Sequence, residues 1–395
     1  MDELLSTAGA SEARAVRQLD DLLRRAVDRR ASDIHIEPRQ DRYKIRFRVD
    51  GVMVDINGWP SDLAQAVTNR IKVLARLDIA EKRLPQDGMF ATSLAKGRPL
   101  SVRASSFPSL HGEKLVLRLL LGGRLMALPE LGVQEEQVGT LRQLSQLQGG
   151  LVVVTGPTGS GKTSTLYALL RELDARRRSV VTLEDPIEIE MQGITQGQVN
   201  VRKGFDFARG LRSILRQDPD VILVGEMRDE ETARIATQAS LTGHLVLSTL
   251  HTSSIPDTIT RLLDMGIERY VVAGALAGIV AQRLVRRVCP ECRGLVDKER
   301  LTALRAQVGF DLPTGAGLTE GQGCDACLQT GFHGRTGVYE VVGVTAELRR
   351  IIKAEGGGGP IRDYLARQGV PTLRRAAVPL IQRGETTLEE VLRMT

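Results

Sequence analysis

A glycine-rich loop that ends in a lysine and a threonine is the part of this chain best suited to chemistry. It reads GPTGSGKT over residues 156–163 and matches G-x-x-x-x-G-K-[ST]. The apolar run 151–154 precedes the loop, and a helical pattern over 164–170 follows it. Glycines let successive N–H groups wrap a phosphate chain, and the N-terminus of the following helix adds donors. The alternative is a plain glycine-rich turn, but a strand, this loop and a helix in register predict a nucleotide site.

Individual residues of this loop have separate predicted roles. Lys162 can reach the β- and γ-phosphates, and the hydroxyl of Thr163 can bind Mg²⁺. The predicted nucleotide contacts are Gly156, Pro157, Thr158, Gly159, Ser160, Gly161, Lys162, Thr163 and Ser164.

Acidic residues follow two apolar, strand-like runs and are candidates for catalysis. Glu226 follows the run VILVG, where a carboxylate can orient Mg²⁺ and its water shell. Glu184 ends the run VVTLE and is followed by Asp185 and Glu188. Carboxylates there can position and deprotonate the attacking water. The alternative for Glu184, Asp185 and Glu188 is a role in helix capping or a turn.

Two histidines, His244 and His251, stand at the two ends of the apolar run 245–250. A lone histidine at a strand end is more often structural. Two that flank a central strand beside a phosphate loop are placed so that one of them could sense the γ-phosphate. We assign His244 as the catalytic candidate.

The four cysteines form two C-x-x-C pairs with 31 residues between the pairs: Cys289, Cys292, Cys324 and Cys327. In a reducing compartment such pairs indicate a structural zinc site, with free thiols or a redox pair as the alternative. The spacer exceeds the usual 15–20 or so residues, so we expect it to hold its own structure. The basic neighbours expected to stabilise the thiolates are Arg286, Arg287 and Arg293.

Composition limits the possible classes of protein. A chain of 395 residues predicts two or three domains. The net charge of +6 is modest; it permits contact with phosphate or an anionic membrane surface, and a solvated surface explains it equally well. The acidic start lacks the features of a secretion signal. The longest apolar stretch, 270–281, falls short of the roughly 18 residues of a spanning helix. We expect a cytosolic protein without direct membrane insertion.

The first 125 residues have the pattern of a small α+β domain. A helix is predicted over most of residues 1–30, with an apolar stripe of Leu19, Leu22, Leu23 and Ala26. Residues 32–55 alternate as half-buried strands, with a hairpin turn at Asp50-Gly51. A second helix is predicted at 61–75. Further strands are predicted at 89–93, 99–104 and 114–121. Gly122, Gly123 and Pro129 mark a linker.

Residues 130–395 have the pattern of an α/β domain. Runs at 151–155, 179–183, 221–224 and 245–250 are apolar throughout, as in strands buried on both faces of a parallel sheet. Helical segments separate these runs, so we predict a P-loop α/β core. Within this domain we expect a tetracysteine subdomain at 286–335. A helical C-terminal subdomain is expected at 336–395, with a break at 356–360.

Together these motifs resemble one family, the bacterial secretion and pilus-assembly ATPases, and within it the type II secretion ATPases. The resemblance covers residues 15–395. The family's four boxes correspond to the phosphate loop, the acidic segment 182–188, the strand that ends in Glu226, and the histidine segment 242–252. Segments 31–38 and 83–88 are similar to the family's N-terminal domain. The resemblance implies a RecA-like core, a PAS-like N-terminal domain and ATP hydrolysis with Mg²⁺.

The resemblance also implies an assembly. Such proteins form homo-hexamers, hold ATP between their two domains, and work at the inner membrane through secretion-platform proteins. Family members usually carry a further N-terminal domain that docks to this platform, and we expect that domain to be absent here. By motif position, the arginines implied around the phosphates are Arg103, Arg118, Arg212 and Arg216.

Other functions agree less well with these residues. The cysteine pairs and segments 334–340 and 387–395 look most like type II secretion, and the alternative is a type IV pilus assembly ATPase. A DNA-translocating ring should carry a basic stripe or stacking aromatics, and 3% aromatic content gives it little support. A further alternative is a scaffold that binds nucleotide without hydrolysing it. This alternative is disfavoured because the chain carries all four of the residues that hydrolysis needs: Lys162, Thr163, Glu184 and Glu226.

Overall fold

A computed structural model describes residues 2–94, 98–120, 124–297, 299–300, 302–303, 318–354 and 358–395. The predicted linker residues Gly122 and Gly123 lie outside the described residues, as do Gly356 and Gly357 of the predicted break. The chain divides into two compact units, Met1–Arg124 and Leu125–Thr395.

The first unit combines two helices with a six-stranded antiparallel sheet. Its elements are α1 (Asp2–Asp28), β1 (Ala31–Pro38), β2 (Arg42–Val49), β3 (Val52–Pro60), α2 (Ser61–Leu74), β4 (Gln86–Leu94), β5 (Arg98–Ser109) and β6 (Gly112–Leu120). The strand order is β3-β2-β1-β6-β5-β4. The predicted apolar stripe of α1 is buried.

Local sequence explains the hairpin between β2 and β3. Tyr43, Ile45 and Phe47 point into the core because side chains alternate along a strand. Asp50 and Gly51 have φ angles of 49° and 85°, as a two-residue type I′ turn requires. The predicted turn is therefore confirmed.

The second unit is built on a seven-stranded sheet. The strands are β7 (Gly150–Thr155), β8 (Val180–Glu184), β9 (Thr195–Gln198), β10 (Val221–Val224), β11 (Leu245–Leu250), β12 (Leu276–Val288), β13 (Arg293–Leu295), β14 (Thr319–Gly321) and β15 (Phe332–Gly343). The large sheet has the order β15-β12-β7-β11-β10-β8-β9, and β13 pairs with β14 in a separate ribbon. Six strands of the large sheet run parallel, and β15 is antiparallel to β12. The four predicted strands are confirmed and lie side by side.

Helices cover both faces of this sheet. They are α3 (Glu135–Ser145), α4 (Lys162–Arg171), α5 (Phe207–Ile214), α6 (Glu230–Leu241), α7 (Ile255–Asp264), α8 (Arg269–Ala275), α9 (Ala346–Lys353), α10 (Gly358–Arg367), α11 (Leu373–Ala376), α12 (Val378–Gln382) and α13 (Leu388–Met394). Leu151 and Val153 belong to one apolar core, and Val152 and Val154 to the other. Burial on both faces is the reason that the strands are apolar throughout.

The apolar stretch 270–281 is divided between α8 and the start of β12. Among the described residues, no helix combines the length and the apolarity that crossing a bilayer requires.

Candidate nucleotide-binding site

The phosphate loop lies where the sequence predicts it, between the end of β7 and the start of α4. Gly156, Gly159 and Gly161 have φ angles of 153°, 78° and 87°, which side chains with a Cβ rarely adopt. A Cβ on Gly156 would also lie only 2.5 Å from the backbone oxygen of Gln282. The loop therefore depends on its glycines both for backbone conformation and for space.

Lys162, the first residue of α4, folds back over the loop. Its Nζ donates to the carbonyls of Gly156 at 2.8 Å and Pro157 at 3.1 Å. Burial lowers the pKa of Lys162 to about 8, although Glu226 opposes this shift. Phosphate oxygens are stronger acceptors than carbonyls, so a bound phosphate can replace these two carbonyls as the hydrogen-bond partner of the ammonium group.

A chain of polar contacts continues from Lys162. Its Nζ lies 3.5 Å from Nδ1 of His251, and Nε2 of His251 lies 3.3 Å from Glu226. The other carboxylate oxygen of Glu226 accepts from Arg228 at 2.5 Å. An ammonium only donates and a carboxylate only accepts, so the imidazole of His251 can accept from Lys162 through Nδ1 and donate to Glu226 through Nε2. The structure thus brings Lys162 and the predicted Mg²⁺ residue Glu226 to one place.

His244 lies at the other end of the sheet. Strands β7 and β11 run parallel, with Leu245 beside Gly150 and Leu250 beside Thr155. His244 precedes β11, and its Nδ1 lies 2.9 Å from the carbonyl of Ala239. A six-residue strand spans roughly 20 Å. The structure therefore places His251, and not the predicted His244, beside the phosphate loop, and a catalytic role for either histidine stays a prediction.

Glu184 is the last residue of β8 and is buried. One carboxylate oxygen accepts from the hydroxyl of Thr182 at 2.6 Å and from the amide of Gln196 at 3.1 Å. The other oxygen accepts from the hydroxyl of Tyr167 on α4. A water bound to Glu184 would have to compete with these donors. Its role in activating water stays a prediction.

Other loop residues differ in their exposure. Pro157, Thr158, Gly159 and Ser164 are exposed, and Thr163 is half-buried. The Ser160 hydroxyl is buried, and in the described part of the chain it has no hydrogen-bond partner. It is thus free to donate to a bound group.

The four predicted arginines fall into two pairs. Arg103 on β5 and Arg118 on β6 are direct cross-strand neighbours. Arg118 donates to Asp33 at 3.0 Å, and Arg103 lies 4.0 Å from Asp87. The second pair lies on or just after α5, where Arg212 contacts Glu231 and Arg216 donates to the carbonyl of Arg212. All four side chains are exposed, and their roles around the phosphates stay predictions.

The four cysteines converge in space. All four sulfurs lie within 4.8 Å of one another, and three pairs are separated by 3.7, 3.8 and 3.9 Å. A tetrahedron with Zn–S bonds of about 2.3 Å has edges of about 3.8 Å, so the donor set fits zinc. Burial raises the pKa of the Cys327 thiol, but N–H donors of Cys324 and Gly331 outweigh burial and lower the pKa to about 7.

The predicted basic neighbours have other partners. The guanidinium of Arg286 lies 2.8 Å from Glu390 and 3.9 Å above the ring of Phe332. Arg287 lies 3.6 Å from Glu385. Arg293 donates to the carbonyl of Arg383. The expectation that these arginines stabilise the thiolates is wrong, because the arginines contact residues of the C-terminal segment instead. The sulfurs accept hydrogen bonds from backbone N–H groups.

Residues 9–393 match the family described as type II/IV secretion system protein. The chain belongs to this family. It is 47% identical to the type II secretion system protein E of Pseudomonas aeruginosa, over 97% of this chain and 76% of the relative. It is 44% identical to the type II secretion system ATPase E of Vibrio cholerae, with the same shares covered. A type IV pilus assembly ATPase of Acinetobacter baylyi is 42% identical, over 98% of this chain and 66% of the relative.

A solved structure of a pilus retraction motor shares this fold. A crystal structure of the pilus retraction motor PilT with bound ADP has a TM-score of 0.62 and 26% identity, over 95% of this chain and 96% of that one. The predicted fold class, an α/β core preceded by a smaller α+β unit, is thus confirmed.

In this family member, sequence reasoning missed four residues that contact the loop or the segments beside it: Tyr167, Arg228, Gln282 and Arg283. One signal was available for Arg228. It follows a strand of a parallel sheet, and ligands bind at the carboxyl ends of such strands.

Proposed function

We propose that this chain is the ATP-hydrolysing motor of a type II secretion system and converts ATP and water to ADP and phosphate. The observation that carries the proposal is the chain of contacts from Lys162 through His251 to Glu226 at the phosphate loop. Relatives named as type II secretion proteins, at 44 to 47% identity, support the biological assignment.

Each residue of the site has its own proposed role. Phosphate oxygens replace the loop carbonyls as partners of Lys162, and the N–H groups of the loop surround the anion. Thr163 and Glu226 would hold Mg²⁺, which supplies charge stabilisation to the transferred phosphoryl group. Glu184 is proposed to position the attacking water. His251, between Lys162 and Glu226, holds both side chains in place.

We extend the proposal to the assembly. The chain would work as a homo-hexamer of two-domain subunits, with boundaries at 1–125 and 130–395. It would lie on the cytoplasmic side of the inner membrane and act through secretion-platform proteins. Arg103 and Arg118, with Arg212 and Arg216, would complete the site in the ring, since guanidinium groups stabilise transferred phosphoryl charge. The four cysteines would hold one structural zinc.

Type IV pilus assembly is the second candidate function, because one relative bears that name at 42% identity. The two candidates share the same chemistry and differ in the partner machinery. Complementation separates them: expression in a strain that lacks its type II secretion ATPase should restore export, and expression in a strain that lacks its pilus assembly ATPase should not restore pili.

The enzymatic proposal is tested by Mg²⁺-dependent phosphate release. Lys162→Ala should lower turnover at least ~10²-fold, the scale of losing one strong transition-state contact. Lys353→Ala, at an exposed lysine, is the matched control and should leave turnover unchanged. Glu184→Gln should bind Mg·ATP nearly normally but hydrolyse poorly, whereas Glu226→Gln should also change the Mg²⁺ dependence. Wild-type phosphate release by a folded Lys162→Ala protein would contradict the assignment.

A further inference from the structure

Gln282 lies directly behind the phosphate loop. It is on β12, next to Ala281, which pairs with Thr155 at the end of β7. Its side chain is fully buried. The amide Nε2 donates to the carbonyl of Ser160 at 2.7 Å, and the amide oxygen accepts from the hydroxyl of Thr165 at 2.7 Å. One side chain therefore joins β12 to both the loop and the first turn of α4.

The phosphate loop packs closely against Gln282. A Cβ on Gly156 would come within 2.5 Å of the Gln282 carbonyl, and one on Gly161 would come within 3.3 Å of its Nε2. Glycine at these two positions thus allows the loop to lie against β12. Both the first and the last glycine of the motif contact Gln282, so its position and the curvature of the loop are linked.

The neighbouring residue, Arg283, holds both Gln282 and a second part of the site in place by hydrogen bonds. The guanidinium of Arg283 donates to the carbonyl of Gln282 and to the carbonyl of Ser253, both at 2.9 Å. Ser253 lies two residues after His251. Arg283 therefore connects the segment that carries His251 to the strand that supports the loop.

We propose that Gln282 is a positioning residue for phosphate binding, acting through Ser160 and Thr165 without touching the nucleotide. The inference rests on the proposed ATPase function of the loop. Its physical basis is that a buried carbonyl or hydroxyl that loses its partner is costly, so the loop would shift to satisfy Ser160 elsewhere. The N–H groups of the loop would then no longer converge on one anion.

The test compares two buried glutamines in the full chain. Gln282→Leu should raise the Kd for Mg·ATP, and for Mg·ADP, by about tenfold or more, the scale expected of a misplaced binding group. Gln137→Leu is the matched control, because Gln137 is also buried and donates to a backbone carbonyl, that of Tyr339. It should lower the melting temperature comparably but change the Kd less than about twofold. Equal Kd values for the Gln282→Leu protein and wild type would overturn the proposal.

Two conservative variants supply a readout that loss of packing alone would not move. Gln282→Glu keeps an acceptor for Thr165 but loses the donor to Ser160 when ionised. Its affinity relative to wild type should recover as the pH falls, because a protonated carboxyl can donate again. Thr165→Val removes the second contact, together with a longer hydrogen bond of 3.4 Å from the Thr165 hydroxyl to the carbonyl of Gly161, and should weaken binding a few-fold. If Gln282→Leu does not fold, these two variants decide, and wild-type affinity in both at every pH would overturn the proposal.

The outcome for the wild-type protein separates this inference from the proposed function. A wild-type chain that neither binds nor hydrolyses Mg·ATP would refute the proposed function. A wild-type chain that does both, with a Gln282→Leu variant of unchanged Kd and kcat/KM, would refute the positioning role alone.

Discussion

At the scale of single residues, the site depends on which side chains stand at the carboxyl ends of the strands. Lys162, His251, Glu226 and Arg228 form one connected series there. Lys162 only donates hydrogen bonds, whereas its neighbour His251 can donate and accept. These side chains can therefore change partners when a phosphate group enters the site.

The two histidines provide a matched pair for testing this arrangement. We expect His251→Ala to lower turnover by about tenfold or more, since a hydrogen bond to a charged group contributes about 1.5–3 kcal/mol. His244→Ala should leave turnover within about twofold, because His244 contacts Ala239 at the opposite end of β11. Steady-state kinetics of both variants check this. A larger loss for His244→Ala than for His251→Ala would contradict the assignment.

The lowered pKa of Lys162 predicts a pH dependence of nucleotide binding. Its pKa of about 8 in the free protein means that the ammonium loses its charge above pH 8. A bound phosphate requires the charged form, so the Kd for Mg·ATP should rise with pH above about 8, accompanied by proton uptake on binding. An ordinary exposed lysine would keep its charge to about pH 10. Calorimetric titrations from pH 7 to pH 9.5 or so test this, and Lys162→Ala should abolish the dependence.

At the scale of secondary-structure elements, β12 has a central position. It lies between β7 and β15, contacts the phosphate loop through Gln282, and ends one residue before Cys289. Its outer end is fixed by Arg286, which pairs with Glu390 of α13. The C-terminal helix and the cysteine cluster therefore act on the same strand as the nucleotide site.

The cysteine cluster predicts a bound metal. Purified protein should carry about one zinc per chain, with four sulfur ligands at about 2.3 Å by X-ray absorption. Cys327→Ser should lower the metal content strongly, because Cys327 is buried and its sulfur lies 3.7 Å and 3.9 Å from two of the other sulfurs. Ser160→Ala, outside the cluster, is the control. Four freely titrating thiols and no metal in the native protein would contradict the prediction.

At the scale of the whole molecule, the chain has two compact units, and the proposed phosphate arginines are divided between them. Arg103 and Arg118 belong to the first unit, while the phosphate loop belongs to the second. Full activity should therefore require both units and assembly into a ring.

Substitution of these arginines tests that requirement. Arg103→Ala or Arg118→Ala should lower kcat by about tenfold or more with a smaller effect on the Kd for ATP, because a contact made mainly in the transition state acts on the rate. Arg42→Ala, at an exposed arginine paired with Asp41, is the control. Turnover per chain should also rise with protein concentration. A monomeric fragment 130–395 that hydrolyses ATP as fast as the assembled chain would refute the idea.

The sequence by itself determined the features that depend on local signals. The phosphate loop, the Asp50-Gly51 turn and the buried strands were predicted because each needs particular residue types over a few positions. The cysteine cluster was predicted because two C-x-x-C pairs are typical of a structural zinc site, with free thiols or a redox pair as the alternative.

Tertiary structure alone decided the features that join distant segments. Gln282 meets Ser160 across 122 positions, and Arg286 meets Glu390 across 104. Neither the residue type nor its neighbours reveal such a partner, because strand order and helix packing create it. The choice between His244 and His251 was decided in the same way. Both flank one strand, and the parallel alignment of β11 with β7 places only His251 at the phosphate end.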